Sequence, residues 1–598
     1  MNSRNTWRWF LVAVVLFLFI LFQQRFLTRP GSGPRRILPK LRAAAVTSVQ
    51  VRSAAQLDLI RADRTNGTWQ LTEPLAYPAQ ALSIEKLLGE LEGLTPAAYI
   101  AARKLQDRQT DEEYGFAAPQ ASITIEQPGY TAHLRVGAKT TPGDQVFLQV
   151  VEREGVYVVS ADLLQCLPRT ADDWRDTTLI NLNGLAFDSL AVTNGNKMVE
   201  LRRDAADKPW RMVYPLQARA NNARIEESLQ MLQSVRVRRF VTPDPKADAE
   251  GFGLQPAELE LTLGRGTNTV ARLQFGRSLT NDARLVYARR LGMDGIVAVP
   301  KDLLTPWYAP VNDFRDPFLL TWTGPVAAID VRGQDNFSLQ QQTNDAWRIL
   351  PRDLPADTGL VKDLLTALSA LQIVDFASDA SVAPELPRYG LASPAQQYIL
   401  RGAATNSPAG LTNPIIAEVD FGTNLDDKVF ARRADEGCVY AVKFADFQRL
   451  PAASWEMRER RIWDFSTNDV AGVTIQQQDR VRRIVRNGPN NWSLAPGSQG
   501  VINVLTVEEA VRGLCQLTAV AWLARGDASR TRYGFTDKDQ RVTLELKNGQ
   551  KPSVEFSALA SPNSPYAAVT MEGQLWLFQL PTWLNDYVQR YLSVPLNP

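Results

Sequence analysis

The chain has 598 residues, 45% of them hydrophobic and 22% charged, with 66 basic against 64 acidic side chains for a formal net charge of +2. That length exceeds a single core and suits about four domains at roughly 150 residues each. So even a charge balance gives no one-signed field to attract nucleic acid, and that class of partner is disfavoured.

The first element in chain order is apolar. Trp9 to Phe22 is an unbroken hydrophobic run flanked by Arg8 and Arg25. The run is short for a span and also suits a signal-peptide core. No small-x-small cleavage site follows directly, and with its snorkelling flanks Trp7 to Phe26 is long enough to cross a bilayer. An uncleaved single-pass anchor is the reading. Arg25, Arg29, Arg35, Arg36, Lys40 and Arg42 follow the span, against Arg4 and Arg8 before it. Taken alone, that bias keeps the bulk of the chain in the cytoplasm. Pro30-Gly-Ser-Gly-Pro34 then breaks helix and strand alike and serves as a linker.

The rest of the chain repeats itself. Trp69, Trp210, Trp347 and Trp492 each close a short strand that runs toward a proline (Pro74, Pro215, Pro351, Pro496). An aromatic-glycine pair follows each: Tyr114-Gly115, Phe252-Gly253, Tyr389-Gly390 and Tyr533-Gly534. The tryptophans lie 141, 137 and 145 residues apart (210−69, 347−210, 492−347) and the glycines 138, 137 and 144 (253−115, 390−253, 534−390). Two landmarks with one period define tandem repeats.

Within each copy the pattern predicts a β-meander up to the Trp, because apolar residues alternate between short polar breaks. A helix follows, with Ile84, Leu87, Leu88, Leu91 and Leu94 on one face in the first copy and Ser83 as its N-cap. Its counterparts carry Ile225, Leu229, Leu232 and Val235, then Leu360, Val361, Leu364, Leu365, Leu368 and Leu371. In the fourth copy Thr506-Val-Glu-Glu509 reads as a capping box ahead of Val511, Leu514 and Leu517. After the aromatic-glycine pair, which reads as the corner where helix meets sheet, period two returns (Ile123, Ile125; Leu259, Leu261, Leu263; Val542, Leu544, Leu546). A second glycine comes next in three copies, Gly137, Gly276 and Gly422, followed by two more strands. The fold class is therefore α+β: an N-terminal transmembrane helix, then four tandem repeats, each a mostly antiparallel sheet with a packed helix. The divisions are anchor 1–26, linker 27–45, and repeats 46–182, 187–322, 326–465 and a divergent 470–598.

Three copies end on Trp174-Arg175-Asp176, Phe314-Arg315-Asp316 and Met457-Arg458-Glu459. An Arg with a carboxylate recurring there is expected to clamp one repeat to the next; a solvated surface pair is the weaker alternative.

Catalytic chemistry is sparse. His133 is the one histidine, there is no G-x-S-x-G elbow, and no Walker lysine motif appears. Cys166, Cys438 and Cys515 lie in three different copies in apolar settings and read as buried small hydrophobes. The acidic pairs Glu112-Glu113, Asp172-Asp173 and Asp426-Asp427 read as loop charge. No catalytic, cofactor-binding or metal residue is assigned, no cofactor is expected, and the chain is read as non-enzymatic.

The Trp69-to-Pro74 segment, the amphipathic helix, Tyr389-Gly-Leu-x-x-Pro394 and the closing Arg-Asp resemble the domain-of-unknown-function 4340 repeat family. The fourth copy departs from that pattern, lacking the Pro after its Tyr-Gly-Phe turn. The resemblance implies a bacterial protein with one N-terminal membrane segment, associated with ABC transport systems of the gliding-motility type. It further implies repeats outside the cytoplasm and, as partners, permease or auxiliary subunits of the transporter. The expected function is a scaffold or auxiliary subunit of such an envelope complex. The alternative is an envelope ligand-binding protein or hydrolase with a site between repeats.

Overall fold

The computed structural model describes residues 14–17 and 36–594, except 55–57, 103–109, 142, 381–382, 408–409 and 558–564. These residues form two compact units divided between Phe314 and Arg315, each holding two of the four large sheets. The anchor expected at 1–26 lies outside the described residues apart from 14–17, which are helical. Among the described residues no helix is long and apolar enough to cross a membrane.

The first repeat shows the plan. Its strands are β1 (Ser48–Ser53), β2 (Leu59–Thr65), β3 (Thr68–Glu73), β4 (Tyr77–Pro78), β5 (Ala98–Ile100), β6 (Ala121–Gln127), β7 (Tyr130–Lys139), β8 (Gln145–Val150) and β9 (Val156–Ser160). They make one sheet in the order β4-β3-β2-β1-β6-β7-β8-β9-β5. Helix α1 (Ala81–Gly93) carries the chain from the β4 edge to the β5 edge. It buries Ile84, Leu87, Leu88 and Leu91 in the core made with Val49, Ile60, Trp69, Ile123 and Leu134. The alternation seen in the sequence is the burial pattern itself: Ile123 and Ile125 point inward, while Thr124 and Glu126 stay half-buried on the uncovered face.

The second and third repeats have the same nine-strand order, and the fourth has eight strands, without a counterpart of β4. Their helices are α2 (Asn222–Ser234), α3 (Thr358–Ala370) and α4 (Val504–Cys515). Each repeat has its own main core. The sheets are antiparallel at every pairing, sharper than the mostly antiparallel expectation.

Three local readings are corrected. The N-cap of α1 is Gln80, not Ser83, whose hydroxyl instead donates to the Gln80 side chain. Helix α4 begins at Val504 behind Asn503, whose side chain accepts from Leu505 and Thr506 N–H, so Thr506 is inside the helix and no capping box forms on it. The linker reading of 27–45 runs too far: Ile37, Leu38 and Leu41 are buried in the first core. Their counterparts Leu179-Ile180 and Leu319-Leu320 likewise enter the core of the repeat they precede, so repeats begin just after the Arg junctions. The fourth repeat also ends on a longer helix, α5 (Thr582–Tyr591), which closes its core with Leu584, Val588 and Leu592.

The two glycine landmarks meet each other. Gly115, Gly253, Gly390 and Gly534 all have left-handed φ (76°, 70°, 69°, 74°), which an L side chain resists. Each turn docks on the sheet rather than on the helix, its aromatic edge-on to a strand residue: Tyr114 to Phe147, Phe252 to Tyr287, Tyr389 to Phe430 and Tyr533 to Tyr566. At the docking point the second glycine lets the turn carbonyl approach. A Cβ on Gly276 would lie 2.2 Å from the Phe252 oxygen. In the fourth copy Ser557 stands there and donates to the Tyr533 and Gly534 carbonyls instead. Gly276→Ala is expected to cost about 1–3 kcal/mol through forced overpacking against backbone, readable as a lowered urea midpoint for the Met1–Phe314 unit; an unchanged midpoint would show that the turn can back away freely.

Candidate functional site

The residues that recur with chemistry lie at the repeat junctions. After the first repeat, Trp174 is buried in the first core, and its carbonyl accepts from Gln80 N–H (2.7 Å). Asp176 N–H then donates to the Pro78 carbonyl (2.8 Å), and the Thr177 carbonyl accepts from Val237 N–H (2.6 Å). The connecting segment thus bonds the β4 edge of one repeat on one side and, on the other, the entry to the strand of the next repeat that corresponds to β5. The same scheme joins the third and fourth repeats: Asp357 N–H to Met457 O, Glu459 N–H to Pro355 O, and Ala519 N–H to Arg460 O. What looked like linker is shared edge backbone.

Arg175 and Arg315 are buried and Arg458 is half-buried, and the side chain of Arg175 reaches both of its neighbouring repeats. Arg175 is 2% exposed with its guanidinium 4.2 Å from the Tyr77 ring of the first repeat and 3.8 Å from the Phe240 ring of the second. Arg315 lies 3.7 Å from Phe376 and 2.5 Å from Asp379. Arg458 lies 4.5 Å from Trp576 and pairs with Glu572 at 2.7 Å. Stacking a delocalised cation on an aromatic face is attractive, more so when desolvated. The neighbouring acid in the motif is not the partner. Asp176 and Asp316 accept the backbone N–H of Thr178 and Phe318, turning the chain into the next repeat. Arg175 pairs instead with half-exposed Asp172.

Asp357 strengthens the last junction. It caps α3 and binds Arg460 at 2.8 Å. Burial pushes its carboxyl up, but Arg460 and the N–H groups of Leu360 and Gly359 outweigh that and hold it below the usual carboxylate range. A depressed native value means the contribution is full above the ordinary carboxylate pKa and is lost as pH falls through the native one. Acidification below about pH 4 is therefore expected to open this junction first, seen as faster amide exchange at Asp357 and Glu459; Asp357→Asn should abolish that pH dependence.

A second recurring group was not anticipated. In three repeats an Arg lies over the landmark Trp and bonds a Glu of the helix. These are Arg64, Trp69 and Glu85; Arg203, Trp210 and Glu226; Arg486, Trp492 and Glu508. The Trp210 and Trp492 N–H groups donate to the same carboxylates. The signal was present as a fixed Trp-to-Glu spacing of 16 (85−69, 226−210, 508−492).

The residues considered for chemistry stay apart. His133 is exposed on β7 and pairs with Glu152. All three cysteines are free; Cys438 and Cys515 are buried and Cys166 is half-buried, more open than expected. Burial pushes the Cys515 thiol up to about 12 and raises the other two. The thiolate is the reactive form, so in native protein at pH 8 a thiol reagent is expected to label Cys166 before the others and leave Cys515 unlabelled; rapid labelling of Cys515 would contradict this packing. Among the described residues no His, Cys, Asp and Glu group could hold a metal ion. Two surface clefts, of about 170 Å³ beside Asp244, Arg290 and Asp294 and about 280 Å³ beside Arg461, Trp463 and Asp464, are lined by neither Ser, Cys nor His.

Fold and junctions define a tandem-repeat α+β protein in which the two modules of each compact unit are joined through shared edge backbone. The chain belongs to the family described as domain of unknown function (DUF4340), whose model matches residues 69–209, 210–384 and 347–523. The matches begin at Trp69, Trp210 and Trp347, so the family unit is shifted along the chain relative to each compact core. No curated protein and no solved structure matches the chain.

Proposed function

We propose that the chain is a non-enzymatic scaffold or auxiliary subunit of an ABC-transporter-type envelope complex, anchored in the bacterial inner membrane by the apolar run at 9–22. Its repeats would face the periplasm. The observation that carries this reading is the junction design. Within each compact unit, two repeats coupled through shared edge backbone and a junction arginine hold neighbouring surfaces in fixed register, which suits a protein that positions others. The uncovered sheet faces fit the role, being laced with polar pairs such as Arg401–Asp330, Arg432–Asp420 and Arg483–Glu545.

The alternative, ligand binding or hydrolysis between repeats, finds little room at the first junction. The cavity at the first junction, beside Tyr77, Thr178 and Arg290, is about 20 Å³, where small-molecule sites run to roughly 300–1,000 Å³. Isolation of the full chain in mild detergent, with identification of what copurifies, tests the proposal; an eluate without any transporter permease or auxiliary subunit would sink it. A periplasm-specific reporter fused after Pro598 should be active, and activity of a cytoplasm-only reporter would reverse the orientation.

A further inference from the structure

Each repeat carries an aromatic at one position of the edge strand that corresponds to β5, five residues past the helix-end landmark. These are Tyr99 after Leu94, Phe240 after Val235, Phe376 after Leu371 and Trp522 after Leu517. In the last three repeats this position meets a junction arginine. Arg175 stacks on Phe240 and Arg315 on Phe376. Trp522 donates its N–H to the Arg458 carbonyl, packing edge-on to the Trp576 that carries the Arg458 guanidinium. In the first repeat Tyr99 is 52% exposed, and among the described residues no guanidinium lies over it. Its ring rests on Tyr157 at 5.0 Å, and its hydroxyl donates to the Glu154 carbonyl.

We infer that Tyr99, backed by Tyr157, is an open receptor for an arginine side chain carried by a partner protein in an apolar-Arg-acid segment. The occupant's chemistry is written three times inside this chain, in Trp174-Arg-Asp176, Phe314-Arg-Asp316 and Met457-Arg-Glu459. Exposed Glu154 sits beside the platform much as Glu572 sits beside Arg458. By sequence position no arginine of this chain matches the junction spacing ahead of the first repeat. A junction Arg precedes the first residue that packs into the core of its repeat by four positions (179−175, 319−315, 462−458), buried at Leu179 and Leu319 and half-buried at Ile462, and the position four before Ile37 is Gly33.

Docking here works through the side chain and not through an added strand. Val237, Ile373 and Ala519 each donate a backbone N–H to the segment that enters ahead of them. The matching residue of the first repeat is Pro96, which has no N–H to give. The edge lacks that donor, while its aromatic remains open to a cation. The inference stands apart from the scaffold proposal, because it concerns what chemistry binds and not what the partner does.

The test uses the full-length protein in detergent and a synthetic blocked peptide of residues 311–318 (Val-Asn-Asp-Phe-Arg-Asp-Pro-Phe), with binding followed calorimetrically. Saturable binding is expected, weakened about tenfold by Tyr99→Leu and about as much when the peptide Arg is replaced by Ala. Tyr99 is on an exposed edge, so amide protection along β6 and β7 of the first repeat in Tyr99→Leu should match the parent. Absence of binding, or equal binding by Tyr99→Leu, overturns the inference. So does tighter binding by Arg35→Ala, which would mean that the chain's own arginine competes for the ring.

Discussion

Replacing Glu508 with alanine is expected to destabilise the fourth repeat by about 3–5 kcal/mol, the cost of breaking a buried charge pair from one side. Glu508 is 6% exposed and takes two bonds from the Arg486 guanidinium (3.1 and 2.9 Å) and one from Trp492 N–H (2.6 Å). Its removal leaves a guanidinium 5% exposed facing an empty space, held only by stacking 4.3 Å from Trp492. The chain holds several cooperative modules, so a single melting temperature is the wrong readout. Amide exchange along α4 and the paired strand Arg480–Gly488 is the right one, with the other three repeats as internal reference. Glu508→Gln should recover part of the loss, since its amide oxygen still accepts. The third repeat supplies the contrast. Asp363 occupies the same spacing from Trp347 (363−347 = 16) but is exposed, and no Arg stacks on that Trp among the described residues. Asp363→Ala is expected to shift its repeat by less than about 0.5 kcal/mol. Equal effects at the two sites would mean that the Arg–Glu–Trp group adds nothing beyond helix preference.

What the sequence discloses and what it hides divides by range. Helix faces and strand alternation depend on neighbours within a turn or a pleat, so Ile84, Leu87, Leu88 and Leu91 could be placed correctly from spacing alone. The junctions could not. That Gln80 and not Ser83 begins α1 follows from Gln80 giving its N–H to Trp174, far along the chain. Ile37 and Leu38 look like the end of a linker because their partner, the Leu94 carbonyl, is supplied across the repeat. The aromatic-glycine pair was readable as architecture, but the surface it docks on was not, since Gly137, Gly276 and Gly422 make sense only when the turn carbonyl is seen against them. Repetition was the one long-range signal available. It located Arg175, Arg315 and Arg458, while the aromatic rings that receive them sit at positions that vary in residue type.

Arg175→Ala is expected to loosen the first repeat from the second by about 2–4 kcal/mol, combining two desolvated cation–π contacts with the cavity left by a buried side chain. Tyr77 and Phe240 also touch each other edge-on at 5.8 Å, so they would close only part of the gap. The local readout is amide protection at Gln80, Asp176 and Val237, the three donors that tie the connecting segment to both repeats. These should exchange faster while the amides of β6 and β7, deep in the first sheet, keep their rates. Two controls separate the causes. Asp172 is half-exposed, so Asp172→Ala should change protection by less than about 0.5 kcal/mol, as surface pairs do. Arg175→Lys keeps the charge but not the planar face that lies between two rings, and it should recover less than half of the loss. If lysine restored protection fully, charge alone would be the clamp, and the aromatic residues would be packing that any cation satisfies. If alanine changed nothing, the shared backbone bonds would hold the repeats without it. In either case Tyr99 would lose its claim as a receptor selective for arginine, because that claim takes its chemistry from this junction.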